Sequence, residues 1–127
     1  MIREDYVSFE VAKLLKEKGF DWDCQYCYID EDDSDKEQLE VPTGYDAEIE
    51  APTHQMAMKW LREAHKLNIE LVLNQDVQDL ESVIKNYYHF NVSRLDRFAN
   101  EGGDCKFYNS YEEAVEAAIK YCLENLI

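Results

Sequence analysis

Three stretches of the chain carry apolar residues at spacings of three and four, the repeat of a helix with one buried face. They predict helices over residues 8–18 and 54–66, and a third over 111–126 after the N-cap Ser110. The first turns of the third stretch are acidic, which suits the positive end of the helix dipole. The pattern therefore predicts three amphipathic helices, each packed by one side against the rest of the fold.

Capping residues support the predicted helix ends. Ser8 and Thr53 precede the first two patterns, and both hydroxyls suit the N-cap position. Gly19 follows the first helix and is itself followed by Phe20. This order is typical of a Schellman ending, in which Phe20 packs back on Leu15.

Strands are predicted where apolar and polar residues alternate with a period of two. The aromatic-rich stretch 22–28 is the strongest example, and residues 39–41 are expected to return as its paired strand. Residues 69–73 alternate in the same way, and a last short strand is predicted at 107–108. Residues 45–50 are expected to be irregular or to form a short edge strand.

The stretch 75–101 fits two structures. Val77, Leu80 and Ile84 have helical spacing, whereas residues 86–93 are rich in strand formers. Both interpretations stay open, and we prefer the strand.

The predicted order of elements is α-β-β-α-β-β-β-α. Strands that do not alternate regularly with helices are typical of an α+β fold. The chain has 127 residues, which suits a single domain over 1–127. We expect three helices packed on one face of a mainly antiparallel sheet of about four to five strands.

The charged residues of the chain are strongly unbalanced and unevenly distributed. The chain has 28 acidic and 13 basic residues, a net charge of −15, which disfavours direct binding to nucleic acid or to an anionic membrane. Residues 21–50 contain twelve acids and a single base, Lys36. Most of the imbalance therefore lies in this one segment.

The acidic segment 21–50 has two interpretations. Clustered acids keep a small protein soluble and protect a sheet edge from aggregation. They can also bind a basic protein partner through complementary charge. We favour a non-enzymatic protein that acts through protein contacts. The candidate contact surface consists of Asp30, Glu31, Asp32, Asp33 and Asp35.

The alternative is a small-molecule-binding or enzymatic module. Aromatic side chains can line a ligand site, although they more often fill a core. The candidate pocket lies between the predicted aromatic strand and the second helix. Its residues are Trp22, Tyr26, Tyr28 and Trp60.

No motif predicts a catalytic, cofactor-binding or metal-ligating residue. Cys24 and Cys27 form a CxxC, but residues three apart on a strand face opposite sides, and a second ligand pair is missing. The run 30–35 lacks the glycine and glutamate positions of a calcium-binding EF-hand loop. The three histidines, His54, His65 and His89, have no ligand spacing, and a surface or capping role is expected for them.

The expected location is the cytoplasm. The first residues lack the basic start and apolar stretch of a secretory signal, and no apolar run approaches the roughly 20 residues of a membrane span. The four cysteines are then expected to be reduced thiols.

Three stretches, 7–20, 51–65 with its Met-Lys-Trp-Leu-Arg-Glu core, and 111–127, resemble a group of short proteins from gut Bacteroides-type bacteria and their prophages. The resemblance covers the three predicted helices, under half of the chain. The group has no assigned activity, so no catalytic residue is transferred from it. The resemblance implies a cytoplasmic, phage-linked protein in which three helices frame a more variable strand and loop region.

Overall fold

A computed structural model of the protein describes residues 5–31, 38–44, 47–77 and 84–127. Its elements follow the order α-β-β-α-β-β-β-α, which confirms the predicted α+β class. The helices are α1 (Phe9–Glu17), α2 (His54–His65) and α3 (Tyr111–Asn125). The strands are β1 (Tyr26–Ile29), β2 (Glu48–Ala51), β3 (Leu67–Val77), β4 (Ile84–Arg94) and β5 (Asn100–Gly102).

All strand pairings are antiparallel, as expected, but the prediction of a single sheet is wrong, because the five strands divide between two sheets. β1 pairs with β2, while β3, β4 and β5 form a three-stranded sheet in sequence order. The long β3–β4 pair runs in register from Leu67 opposite Arg94 to Val77 opposite Ile84. The preferred strand interpretation of 86–93 is therefore confirmed.

Two predicted strand partners are wrong. Residues 39–41 form only an isolated bridge, from Glu40 to Cys27 on one edge of β1. The strand that pairs with β1 is β2, which lies along the opposite edge of β1. Residues 107–108 likewise form only a bridge, from Tyr108 to Tyr88, and the last strand is β5. Strand-forming residue types indicate an extended backbone, but the partner is chosen by long-range packing.

The helix caps agree with the predictions. The hydroxyls of Ser8, Thr53 and Ser110 accept hydrogen bonds from backbone N–H groups in the first turns of α1, α2 and α3. Each of these bonds satisfies a donor that has no partner within its helix. At the end of α1, the N–H groups of Phe20 and Gly19 donate to Leu15 and Lys16 in the Schellman pattern. Gly19 has φ +97°, where a side chain is disfavoured.

The core lies where the apolar faces of the three helices meet the inner faces of the two sheets. Its fully buried leucines and isoleucine come from α1, α2, β3 and α3: Leu15, Leu61, Leu67, Ile119 and Leu123. Each such side chain contributes about 1.5–3 kcal/mol when it leaves water. This core holds the β1–β2 sheet and the N-terminal ends of α1 and α2 in fixed positions against α3.

Candidate functional site

The predicted contact surface is only partly within the described residues. Asp30 and Glu31 lie directly after β1, whereas Asp32, Asp33 and Asp35 fall outside the described residues. Asp30 lies 3.8 Å from the ammonium group of Lys13 on α1. This ion pair links the residue after β1 to α1.

Further carboxylates of the acidic segment share the outer face of the β1–β2 sheet. In β2, Glu48 and Glu50 alternate with buried apolar residues, because successive side chains of a strand point to opposite faces. Glu50 lies opposite Cys27 of β1, and Glu40 is bridged to Cys27 from the other side. Three glutamates thus converge on one cysteine.

The negative charges of these glutamates affect the pKa of the Cys27 thiol. Its side chain is fully buried, and burial together with the charges of Glu48, Glu50 and Glu40 raises the pKa of the thiol to about 11. A nearby negative charge repels a thiolate, which is also negative, and attracts a cation. The outer face of the sheet is therefore a region of negative potential.

Local hydrogen bonds hold two of these carboxylates in place. The backbone N–H and the hydroxyl of Thr43 donate to Glu48 Oε1 at 2.7 and 2.8 Å. The N–H of Cys24 donates to Glu50 Oε2 at 2.9 Å. Within the described residues, neither Glu40 nor Glu50 forms an ion pair with a lysine or arginine. The carboxylate of Glu50 is therefore ordered without an ion pair to a described lysine or arginine.

A shallow depression of about 340 Å³ lies beside this face. Its lining combines the acidic residues Glu31 and Glu40 with the apolar residues Ile29 and Val41. Val41 is 69% exposed, which is high for a large apolar side chain. We call Glu31, Glu40, Glu48 and Glu50, together with Val41, the acidic sheet face.

The predicted aromatic pocket is not formed as expected. Trp60 and Tyr28 are 4% and 5% exposed and belong to the hydrophobic core. The ring of Phe20 lies 5.5 Å from Trp60 and 6.1 Å from Trp22, so the space between the two indoles is occupied. The large apolar area of these rings stabilises the fold more when they pack on one another than when they line an open site.

Tyr26 and Tyr28 also pack against other aromatic rings. Tyr26 contacts Tyr6 edge to face at 5.4 Å, and Tyr28 contacts Phe9 in the same way at 5.9 Å. The hydroxyl of Tyr28 donates to the carbonyl of Val7 at 2.6 Å. These two strand residues therefore join β1 to α1 and to the segment before it.

The CxxC thiols are held in their protonated form. Burial, followed by the charge of Glu50, raises the pKa of Cys24 to about 12. Its Sγ lies 3.5 Å from the carbonyl oxygen of Trp22 and 3.7 Å from the sulfur of Met56. Zinc ligation and redox chemistry need a thiolate, so both environments oppose that use. Across the described ranges, no three His, Cys, Asp or Glu side chains gather as a metal site.

The most buried ionisable pair in the described residues was not predicted. His54, expected in a surface or capping role, is 8% exposed, and the cap of α2 is Thr53, as predicted. His54 Nε2 lies 2.7 Å from Glu116 Oε2, and the N–H of Ser8 donates to Glu116 Oε1 at 2.9 Å. One carboxylate thus joins the beginnings of α1 and α2 to the middle of α3.

Burial alone would raise the pKa of Glu116. The hydrogen bonds from His54 and Ser8 outweigh burial, so the pKa lies below its ordinary value. Glu116 is therefore ionised at neutral pH and acts only as a hydrogen-bond acceptor. The acceptor role of Glu116 places a proton on Nε2 of His54.

The pair is part of the lining of a groove of about 580 Å³. The walls of the groove come from the segment before α1, the first turns of α1 and α2, and α3. This volume is within the range of small-molecule sites. His54 precedes Ala57 and Met58 by three and four residues, so helical spacing could have indicated its burial, although not its partner.

Among the described residues, no helix has both the length and the apolar character needed to span a bilayer. No protein-family model, curated protein or solved structure matches the chain. Function is therefore inferred from the charge and geometry of the two surfaces described above.

Proposed function

We propose that the protein is a non-enzymatic, cytoplasmic binding protein that takes a basic protein partner on its acidic sheet face. The observation that carries this proposal is the convergence of Glu40, Glu48 and Glu50 on Cys27. Four free thiols suit a reducing compartment.

The chemistry of the face favours a lysine- or arginine-rich segment. Its carboxylates attract the charged ends of such side chains, and exposed Val41 can contact their aliphatic stems. Complementary charge accelerates the encounter and makes it sensitive to salt. The resemblance of the helices to proteins of Bacteroides-type bacteria and their prophages makes a phage or host protein the first partner class to test.

The test compares two double variants that have equal net charge. Glu31→Gln with Glu40→Gln neutralises two carboxylates of the face and leaves Glu48 and Glu50, which accept hydrogen bonds from Thr43 and Cys24, unchanged. Glu70→Gln with Glu124→Gln neutralises two exposed acids elsewhere, on β3 and α3. Each variant serves as bait in lysate of cells that express the protein, and captured proteins are quantified by mass spectrometry at low and high salt.

We expect the wild type and the control variant to capture the same basic protein in equal amounts. The face variant should capture roughly tenfold less of it, which corresponds to a loss of about 1.4 kcal/mol in binding free energy. High salt should release this protein. Equal capture by both variants would overturn the proposal. In that case the acids would serve solubility, and both variants should aggregate more readily than the wild type.

A further inference from the structure

Strand β3 has an open edge on the side away from β4. In the described part of the chain, β3 pairs with β4 alone, and no isolated bridge lies along its other side. The strand has eleven residues and pairs with β4 without a register shift. It contains no proline, lysine or bulge, which are common features that protect an edge strand from pairing with another chain. Such an edge is a template for a further strand.

The hydrogen bonds of β4 show which main-chain groups of β3 point out of this edge. Tyr88 lies opposite Leu73. The N–H of Tyr88 donates to the carbonyl of Tyr108 at 2.8 Å, and the N–H of Tyr108 donates back at 2.7 Å, on the side of β4 away from β3. Leu73 and Tyr88 therefore form a non-hydrogen-bonded pair, so the main-chain groups of Leu73 point away from β4. Because antiparallel pairing alternates along a strand, the outward N–H and carbonyl groups belong to every second residue: Ile69, Leu71, Leu73 and Gln75.

The side chains of the alternate residues also form an apolar row. Ile69 and Leu71 pack against the core, whereas Leu73 is 49% exposed. Val77, further along the same face, is 68% exposed. The row thus continues past the part of the sheet that the helices cover, and a second apolar row beside it would remove this area from water.

Charge favours one arrangement of this edge with a second copy of the chain. Antiparallel pairing of a strand with itself has the two-fold symmetry of a common dimer. When the axis passes through Leu71, Lys66 directly before β3 lies opposite Asp76 of the second copy, and symmetry repeats this pair. Both residues are exposed, and neither forms an ion pair with a described residue. Opposite charges across neighbouring strands are stabilising.

The neighbouring registers that also pair the outward groups bring like charges together. An axis through Glu70 places this carboxylate opposite itself. An axis through Val72 places Glu70 diagonally across from Asp76, and an axis through Leu73 places Glu70 directly opposite Asp76. Like charges in such positions are destabilising. In the Leu71 register Glu70 lies opposite Val72, so no like charges face each other.

We propose that β3 pairs with β3 of a second copy of this chain, antiparallel and with the two-fold axis at Leu71, so that two three-stranded sheets become one sheet of six strands. The net charge of −15 on each chain opposes association, and salt screens this repulsion. The dimer is therefore measured at physiological ionic strength. β3 shares no residue with the acidic sheet face, so this interaction goes beyond the function proposed above.

Sedimentation equilibrium of the full chain tests the association itself. A reducing agent is present, because exposed Cys105 could otherwise join two chains by a disulfide. We expect a reversible equilibrium between one chain and two, with a dissociation constant in the micromolar range. A chain that stays monomeric up to millimolar concentration would overturn the proposal, including the case in which β3 instead takes a strand of another protein.

Charge reversal tests the register. Lys66→Glu places like charges opposite each other twice and should weaken the dimer about tenfold. Lys16→Glu on α1 makes the same change of net charge away from β3 and should weaken it by no more than about twofold. Lys66→Glu with Asp76→Lys exchanges the two charges and should restore dimerisation. Equal weakening by Lys66→Glu and Lys16→Glu, or no recovery in the exchanged variant, would overturn the proposed register. Thermal unfolding of each variant checks that it is folded.

Amide hydrogen exchange, measured by NMR at low and high protein concentration, tests which groups pair. The N–H groups of Leu71 and Leu73 should exchange more slowly as the dimer forms. Those of Glu70 and Val72 should be protected at both concentrations, because they point towards β4. A dimer that leaves the exchange of Leu71 and Leu73 unchanged would use another surface and would overturn the proposal. The Glu31→Gln, Glu40→Gln variant should dimerise like the wild type, so failure of partner capture and failure of dimerisation are separate results.

Discussion

Replacing Glu116 by glutamine keeps the shape of the side chain that joins three helices and removes only its charge. The wild-type carboxylate accepts from Ser8 N–H at 2.9 Å and from His54 Nε2 at 2.7 Å. Hydrogen bonds to a charged group contribute about 1.5–3 kcal/mol each. Glutamine retains one neutral acceptor and turns an NH₂ group towards the other donor. We therefore expect Glu116→Gln to lower the free energy of unfolding by about 2 kcal/mol at neutral pH.

The same reasoning gives the pH dependence of this loss. The pKa of Glu116 is lower in the folded protein than its ordinary value of 4.5. Its stabilisation is therefore complete above that value and disappears as the pH falls through the folded-state pKa. The difference between wild type and Glu116→Gln should begin to shrink as the pH falls below 4.5 and should disappear below the folded-state pKa, where the wild-type carboxyl is protonated as well.

Urea unfolding measured by tryptophan fluorescence tests both statements, since the core contains Trp60. Glu124→Gln on the exposed side of α3 is the matched control and should stay within about 0.5 kcal/mol of wild type. If Glu116→Gln lowers the free energy of unfolding at neutral pH no more than Glu124→Gln does, the stabilising role of the Glu116 hydrogen bonds is refuted. If the loss of unfolding free energy is equal at neutral and acid pH, the role of the negative charge of Glu116 is refuted.

Three further predictions use the same unfolding assay or thiol labelling. Gly103→Ala should lower stability by about 1–3 kcal/mol, because a Cβ there would overlap the backbone carbonyl oxygen of Phe90; wild-type stability would contradict this. Lys66→Gly should raise stability by about 0.5–1 kcal/mol, because Lys66 has φ 57° at the end of α2; a loss would contradict it. In native protein near neutral pH, a thiol reagent should label exposed Cys105 first and spare buried Cys122, whose pKa burial raises to about 12; equal labelling rates would contradict this.

Local signals made the helices predictable. The bonds from the caps Ser8 and Thr53 reach only three residues along the chain, and the Schellman ending at Gly19 closes within five. Each of these interactions is formed by neighbours in sequence, so residue types and spacing are sufficient to indicate it. Strand β4 was indicated for a similar reason, since its β-branched and aromatic residues are dense.

The acidic site was predictable only in part. The excess of carboxylates in 21–50 is visible in the sequence, and so is the run of acids between Asp30 and Asp35. In the structure, Glu40, Glu48 and Glu50 gather on one sheet face because β1 lies between two extended segments. That pairing is set by the core beneath the sheet, which period-two alternation does not specify.

By itself, the sequence determined the α+β class, the order of elements, the helix caps and the location of the excess charge. These properties depend on composition and on contacts within one helical turn. Only the tertiary structure decided which segments pair with β1, that the aromatic residues fill the core, and that His54 meets Glu116 across 62 positions of sequence. Such contacts form because the chain must bury its apolar faces together, and burial is a property of the whole fold rather than of any one segment.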